Sequence, residues 1–302
     1  MGKICVVGSL NMDLVARGQR IPVVGETVLG ESFNQVPGGK GANQAAAMGR
    51  LQGHVAMVGK VGQDAFGQAL IQALKEAKVD TQGVTKAPTS TGIALITVQA
   101  DGDNAIVVVP GANAELKPAD IEAAKTIIEE SEIVITQLES PLDTVTYALK
   151  LAKEQGKITI LNPAPAVPLA DELIQNVDYL TPNETELAIL SGMPTESQEE
   201  LQAAASAMMD KGVKVLIVTL GSKGCLVIDE NGSRQFPAFK VKAVDTTAAG
   251  DSFNGGVAVA LAEGKSLEEA IGFATKVGAL TVQKAGAQSS LPTRQEVDGF
   301  RG

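Results

Sequence analysis

Continuous apolar runs alternate along the chain with stretches whose apolar residues recur at helical spacing. Short apolar runs bounded by turn residues predict strands that are buried on both faces. The predicted strands are Ile4–Gly8, Val55–Val58, Ile133–Leu138, Ile158–Leu161, Tyr179–Thr181 and Val215–Leu220. Alternation of strands with helices indicates an α/β layer fold with a largely parallel sheet.

The stretches between the strands carry helix end signals. Ala42–Leu51 is predicted as an alanine-rich helix, and Asp64 is placed to cap the helix that follows it. Pro118 and Pro141 suit the first turns of two further helices. Ser140 is the predicted cap of the second of these.

Two regions interrupt the alternation. Residues 14–37 hold strand-like pieces with no helical pattern, and residues 91–110 predict a hairpin around an Asp-Gly turn. Paired with each other, the two regions would form a small sheet beside the main layer, suited to be a lid over a site. Two separate edge hairpins are the alternative. A further hairpin is predicted where Cys225–Ile228 and Ser233–Phe236 flank an Asn-Gly turn.

The composition is that of a globular chain, with 302 residues of which 44% are hydrophobic and 20% are charged. We expect one domain over residues 1–302, with lid strands from about 14–37 and 91–110. The net charge of −10 argues against nucleic acid as a partner. An anionic ligand must therefore be held by local N–H groups, lysines or a metal ion.

The chain lacks the patterns of exported and membrane proteins. Cys5 and Cys225 each lie in an apolar strand-like run, which indicates buried free thiols and a reducing compartment. Lys3 leads into an apolar run too short for a signal peptide, and no run is long enough to span a bilayer. We therefore expect a cytoplasmic protein with no membrane partner. His54 is the sole histidine, so no shared histidine metal site is expected.

The most informative segment is Asp245–Gly256, in which small residues lead into a carboxylate and then into an apolar helical pattern. Such a loop enters a helix N-terminus, where free N–H groups and the positive dipole end form an anion hole. Asp251 would repel a phosphate there. It is either a first-turn cap or a base that accepts a proton from an alcohol. The predicted anion hole consists of Ala248, Ala249, Gly250 and Asp251.

Two earlier segments suggest a polyol site. Gly38–Gln44 lacks the Walker A spacing but offers a tight backbone and donors, although a glycine-rich helix entry would have the same pattern. Gly8–Asp13 lacks the glycine spacing of a dinucleotide-binding turn. Its Asn11 and Asp13 could bind vicinal hydroxyls at the end of a strand, or simply form a turn.

Three further strand ends carry candidate ligand contacts. Glu139 suits ligand contact, or it complements the N-terminus of the next helix. Asn183 and Glu186 could hold Mg²⁺ through water beside phosphates, with helix capping as the competing interpretation. Thr219–Gly224 suits a nucleotide phosphate, and a simple β-turn would have the same residues.

Taken in order, these segments resemble the ribokinase-like family of carbohydrate and nucleoside kinases. The resemblance extends over essentially the whole chain. It is carried by Gly8–Asp13, Gly38–Gln44, Asn162–Pro165, Pro182–Glu186, Thr219–Gly224, Asp245–Gly256 and Gly286–Ser290. It implies a doubly wound α/β fold, whose mostly parallel sheet is flanked by helices, with a small β-sheet lid that packs against a second lid in a homodimer. The implied reaction is the ATP-dependent phosphorylation of D-ribose at O5.

The resemblance also implies roles for individual residues, with Asp251 as the base. The sugar would be held by Asn11, Asp13, Gly39, Lys40, Asn43, Glu139 and Asp251. The nucleotide would contact Asn183, Thr219, Gly221, Ser222, Lys223, Gly224, Gly250 and Thr275. Mg²⁺ would lie near Asn183 and Glu186, and a monovalent cation, usually K⁺, near Asp245, Thr247, Thr281, Lys284, Gly286 and Ser290.

Other functions remain open at this point. A kinase for deoxyribose, another sugar such as fructose, or a nucleoside such as adenosine would use the same framework. A sugar-binding sensor without catalysis is the alternative from another class. The presence of Asp251, the small anion-hole residues and the Asn183–Glu186 pair argues against the sensor.

Overall fold

The computed structural model describes residues 1–302. Its strands are Lys3–Val7 (β1), Asn11–Gly18 (β2), Gly30–Gly38 (β3), His54–Gly62 (β4), Asp80–Ala87 (β5), Gly92–Val98 (β6), Asn104–Val109 (β7), Ile133–Thr136 (β8), Ile158–Leu161 (β9), Tyr179–Leu180 (β10), Val215–Thr219 (β11), Cys225–Asp229 (β12) and Gly232–Phe236 (β13). Its helices are Lys40–Arg50 (α1), Ala65–Glu76 (α2), Pro118–Ala123 (α3), Lys125–Glu129 (α4), Leu142–Glu154 (α5), Asp171–Ile174 (α6), Glu184–Ser191 (α7), Gln198–Asp210 (α8), Ala249–Ala262 (α9), Leu267–Thr281 (α10) and Arg294–Gly299 (α11). Short 3₁₀ turns lie at Gly111–Glu115 and Gly221–Lys223.

Nine strands form the main sheet, in the order β13-β12-β11-β10-β9-β8-β1-β4-β5. Every neighbouring pair from β11 to β5 is parallel, and β12 and β13 add an antiparallel edge. The predicted doubly wound, mostly parallel sheet is therefore confirmed. The strand order reverses at β1, with β4 and β5 on one side and β8 to β11 on the other. Such a reversal leaves a crevice at the carboxyl ends of the strands, where open α/β sheets bind ligands.

A second, four-stranded sheet has the order β3-β2-β6-β7. Strand β2 pairs antiparallel with β3 and parallel with β6, which in turn pairs with β7. The two regions that interrupt the alternation therefore share one small sheet, as predicted, and do not form separate edge hairpins. This sheet leaves large apolar side chains exposed to solvent, and along the edge strand β7 they lie on both faces: Phe33, Leu95, Ile106, Val107, Val108 and Val109.

Helices α1, α9 and α10 pack closely because small residues line their contacts. A Cβ added at Gly255 of α9 would lie 2.9 Å from the Cβ of Ala47 in α1. A Cβ added at Gly256 would lie 2.8 Å from the Cα of Ala274 in α10. Both approaches are closer than real Cβ contacts, so the glycines permit the packing. As a result, the first turns of α1 and α9 meet at the crevice.

Most predicted elements occur, with different ends. All six predicted strands and the late hairpin are present, and Asp64 caps α2 by accepting from the Gly67 N–H at 2.9 Å. The predicted cap at Ser140 is wrong. The N-cap of α5 is Pro141, whose ring fixes the entry, and the Ser140 hydroxyl is buried without a partner. Strand β5 was not predicted, and α1 begins two residues before Ala42. None of the helices combines the length and the hydropathy needed to cross a lipid bilayer.

Candidate active site

The candidate site lies at the carboxyl ends of β1 and β8, the two neighbouring strands at which the strand order reverses. Asn11 and Asp13 are the first and third residues of β2, which is separated from the end of β1 by three residues. They are strand residues in the small sheet, so the interpretation of Asn11 and Asp13 as turn formers is wrong. Asn11 is buried and Asp13 half-buried.

Asn113, which the sequence did not single out, fixes the orientation of Asn11. Its Oδ1 accepts from the Leu10 N–H at 2.9 Å, and its Nδ2 donates to the Leu10 carbonyl at 3.1 Å. The same Nδ2 donates to Asn11 Oδ1 at 2.7 Å. Because the backbone of Leu10 determines which end of Asn113 is the donor, Asn11 Oδ1 must accept and its Nδ2 is left to donate elsewhere. No side chain or carbonyl within the protein takes up that donor.

The entry of α1 brings a backbone turn close to β2. Gly39 has φ 87°, and a Cβ there would lie 2.7 Å from the Asn11 nitrogen, so only glycine fits. Glu139 Oε2 accepts from the Lys40 backbone N–H at 3.0 Å and from Ser9 Oγ at 2.6 Å. Glu139 therefore stabilises the N-terminus of α1, whereas the sequence suggested the N-terminus of the next helix, α5.

Asp251 is buried in the first turn of α9 and faces α1. Its Oδ1 accepts from Gln44 Nε2 at 3.0 Å, and its Oδ2 accepts from Asn43 Nδ2 at 3.1 Å. The N-cap of α9 is Ala248, and no side chain caps this helix. The capping interpretation of Asp251 is therefore not what the structure shows. Asn43 Oδ1 is buried and has no partner, which leaves an acceptor for a ligand hydroxyl.

Free N–H groups surround the first turn of α9. Ala248 lies in the left-handed region at φ 58°, which turns the loop into the helix. The Ala249 N–H donates to the Thr246 carbonyl at 3.2 Å, whereas those of Gly250 and Asp251 have no acceptor in the protein. A Cβ at Gly250 would meet nothing within 4 Å. Space and free donors thus coincide at Gly250, as an anion hole requires.

Three carboxylates converge on the crevice. Burial raises the pKa of Asp13 to about 7, and the negative charges of Glu139 and Asp251 act in the same direction. Burial also raises the pKa of Asp251, opposed by the charge of Lys40 and the amides of Gln44 and Asn43. A group with a raised pKa in a crevice is typical of a catalytic or binding site.

A cavity of about 560 Å³ opens beside this crevice, within the size range of ligand pockets. Seven of the eight predicted nucleotide residues line it: Asn183, Thr219, Gly221, Ser222, Gly224, Gly250 and Thr275. Lys223 does not, because its mostly exposed side chain reaches Glu184 at 3.5 Å. Apolar residues that the sequence did not indicate form a further wall: Ala238, Phe239, Val241, Ala243, Ala279 and Val282.

Asn183 and Glu186 form a reciprocal capping box on α7. Asn183 Oδ1 accepts from the Glu186 N–H at 2.8 Å, and Glu186 Oε2 accepts from the Asn183 N–H at 2.9 Å. Burial raises the pKa of Glu186, and the positive charge of Lys40 opposes the rise. One carboxylate oxygen of Glu186 stays free of hydrogen bonds within the protein. A single carboxylate with water and phosphate oxygens is a donor set that suits Mg²⁺.

Of the six residues predicted to hold a monovalent cation, Thr247 and Gly286 contact Asp245. Asp245 Oδ1 accepts from the backbone N–H and the hydroxyl of Thr247, and its Oδ2 accepts from the Gly286 N–H at 2.8 Å. Burial would raise the pKa of Asp245, but these hydrogen bonds lower it overall. Lys284 and Ser290 turn away, since Lys284 Nζ pairs with Glu296 and the Ser290 hydroxyl donates to the Ala287 carbonyl. The Asp245 carboxylate is the one charged oxygen donor here, and Thr281 donates its hydroxyl to Val277.

Comparison with known proteins gives the class of this site. A sequence profile described as pfkB family carbohydrate kinase matches residues 1–294, and the chain belongs to that family. Within the family, the chain is 46% identical over 299 residues to a ribokinase of Bacillus subtilis, covering 99% of each chain. It is 39% identical over 299 residues to a deoxyribokinase of Salmonella typhi, covering 98% of each chain.

A solved structure shares the fold over nearly the whole chain. The ribokinase of Arabidopsis thaliana, complexed with ribose and ATP, superposes with a TM-score of 0.94 at 36% identity, over 99% of each chain.

Proposed function

We propose that the protein is an ATP-dependent kinase that phosphorylates D-ribose at O5 to give D-ribose 5-phosphate and ADP. The observation that carries this proposal is the position of Asp251. This buried carboxylate lies at a helix N-terminus with free N–H groups, between a polar crevice and a nucleotide-sized cavity. The relatives that carry the name ribokinase support the choice of sugar.

The crevice offers matched donors and acceptors for a sugar. Asn11 Nδ2 donates, while the Asp13 carboxylate, which accepts no hydrogen bond within the protein, receives hydroxyl protons. Asn43 Oδ1 is a further acceptor without a partner. Gly39 allows the sugar to approach the backbone, and Glu139 keeps α1 in place from beneath. Mixed donors and acceptors around a tight backbone are what a polyol requires.

Asp251 would accept the proton of the attacking hydroxyl while the N–H groups of Gly250 and Asp251 hold the transferred phosphoryl group. Phosphoryl transfer depends on in-line positioning and charge neutralisation more than on covalent chemistry. The positive charge of Lys40 favours the ionised form of both Asp251 and Glu186, and so links the base electrostatically to the carboxylate proposed to hold Mg²⁺. A sugar-binding sensor would not need these groups together, so the convergence of the base, the free N–H groups and Lys40 argues against a sensor without catalysis.

Two cations complete the proposal. Asn183 and Glu186 would hold Mg²⁺ through water, and the ion would neutralise charge on the ATP phosphates. Asp245 and Thr247, with backbone oxygens of the segment from Thr281 through Ser290, would hold K⁺. A cation there would strengthen the electrostatic attraction of the anion hole for the phosphoryl group.

We propose that residues 1–302 form one domain, whose second sheet acts as a lid that excludes water from the phosphoryl transfer. The exposed apolar side chains of β6 and β7 support a homodimer through the lids, because a contiguous exposed apolar surface marks an interaction site. The two cysteines are free and buried, which is consistent with a cytoplasmic location.

The test is an assay of ATP consumption with ribose, deoxyribose, fructose and adenosine, with identification of the phosphorylated product. We expect the highest kcat/KM with ribose and transfer to O5. Deoxyribose is the serious competitor, since a deoxyribokinase shares 39% identity with the chain. A clear preference for deoxyribose would reassign the substrate. Sugar binding without ADP formation would restore the sensor.

A further inference from the structure

A buried chain of three amides ends on the base, and the reaction as proposed does not use it. Gln44 Nε2 donates to Asp251 Oδ1 and to Asn162 Oδ1, both at 3.0 Å. Gln44 Oε1 accepts from Gln137 Nε2 at 2.6 Å. Gln44 has no exposed surface, and Gln137 and Asn162 are at least nine-tenths buried, so none of them depends on solvent.

The orientation of each amide in the chain is fixed from one end. Asn162 Nδ2 donates to the Thr181 carbonyl at 3.1 Å, and a carbonyl can only accept. Asn162 Oδ1 must therefore face Gln44, which in turn must present its Nε2. The second hydrogen of that Nε2 then points at Asp251, and Gln44 Oε1 is left to Gln137. Rotating the Gln44 amide would break all three contacts at once.

We propose that Gln44 is a positioning residue for the base, holding the Asp251 carboxylate ionised and in one orientation for proton transfer. This inference rests on the proposed role of Asp251. Two amides donate to Asp251, one to each oxygen, but they differ in what else they can touch. Asn43 has a free acceptor at the crevice, whereas every polar atom of Gln44 is engaged inside the protein.

Several charged groups near Asp251 also influence its ionisation, and they must stay unchanged in the test. Lys40 on α1 favours the ionised carboxylate, while Glu139 after β8 disfavours it. Asp13 on β2 and Glu186 on α7 are the other charged groups that interact with Asp251. None of these four charged side chains forms a hydrogen bond with the Gln44 amide, so removing that amide leaves their charges in place. Loss of a donor to a carboxylate raises the pKa of that carboxylate.

The test compares Gln44→Met, Gln44→Glu and Asn43→Leu for kcat against pH at saturating sugar and ATP. Methionine keeps the volume of glutamine without its donors. We expect Gln44→Met to move the acid limb of kcat to higher pH by about one to two units, the effect of one hydrogen bond to a charged group. Gln44→Glu should move it further, because a second carboxylate disfavours ionisation. Sugar and ATP dissociation constants should stay within about twofold, whereas Asn43→Leu should raise the sugar KM.

The outcomes separate this inference from the proposed function. An unmoved acid limb in Gln44→Met, whether kcat falls or not, would overturn the positioning role. If the Gln44 variants do not fold, Gln137→Met removes the donor that holds Gln44 Oε1. It should move the acid limb in the same direction by a smaller amount, and an unmoved limb would count against the inference.

Near-normal kcat in Asp251→Asn would refute the assignment of Asp251 as the base. Loss of kcat in that variant, with an unmoved limb in Gln44→Met, would refute this inference alone.

Discussion

Asp13→Asn is expected to raise the stability of the ligand-free protein and to lower its affinity for ribose. Asp13 has its pKa raised to about 7 by burial and by the neighbouring charges of Glu139 and Asp251. A raised pKa means that folding is penalised once the carboxylate ionises, so stability is highest below the unfolded pKa of about 4 and falls as pH rises through 7. Asparagine keeps the shape and removes the charge. The penalty it relieves at pH 8 is at most about 4 kcal/mol, and partial exposure lowers the expected gain to about 1–3 kcal/mol.

The assay is urea unfolding without ligand at pH 4 and pH 8. We expect Asp13→Asn to be more stable than the parent at pH 8. At pH 4 the two should be similar, because Asp13 is protonated in the folded state and about half protonated in the unfolded chain, so little of the penalty has developed. Asp103→Asn is the matched control, since Asp103 is exposed at the turn of the small sheet. Ribose affinity should fall, because a charged hydrogen-bond acceptor contributes roughly 1.5–3 kcal/mol. Equal stability of Asp13→Asn and Asp103→Asn at pH 8 would show that ionisation of Asp13 does not destabilise the folded protein.

Three other predictions concern the supports of the site. Asn113→Ala leaves the Asn11 amide free to rotate, so the ribose KM should rise about tenfold on the scale of one hydrogen bond, with the ATP KM unchanged in steady-state kinetics. Gly39→Ala places a Cβ 2.7 Å from the Asn11 nitrogen, so calorimetry should detect little or no ribose binding by a folded protein. Turnover should fall when K⁺ is replaced by an inert organic cation, and Asp245→Asn should lose this response; equal rates in both buffers would reject the cation site.

Local sequence pattern was enough to predict much of the fold. Strands buried on both faces are continuous apolar runs, so β1, β8 and β11 stand out without any knowledge of their partners. Strand β5 at the sheet edge mixes Thr, Gln and Lys with apolar residues, which removes the pattern. Ser140 has the ordinary signature of a helix cap, yet Pro141 holds the cap position, because its ring fixes the backbone where the helix begins.

The site was predictable where a motif is contiguous and not where it depends on long-range contacts. Asp251 and the anion hole lie in one segment, Asp245–Gly256, whose small residues and single first-turn carboxylate indicate an anion site beside a base. The contacts of Asp251 come from residues more than 200 positions earlier in the chain, and no local pattern pairs Gln44 with it. Asn113 is likewise a single amide in a 3₁₀ turn, and its role follows only from the backbone of Leu10 beside it.

The most direct test of the account is Asp251→Asn, measured for kcat with ribose and for ATP affinity. As a base, Asp251 should contribute about 10²–10⁴-fold, so kcat should fall at least about a hundredfold. ATP binding should persist or tighten, because a negative charge beside the phosphates is removed. The melting temperature is the control, since asparagine offers one acceptor where Asn43 and Gln44 present two donors. A folded variant with near-normal kcat would contradict the assignment of Asp251 as the base.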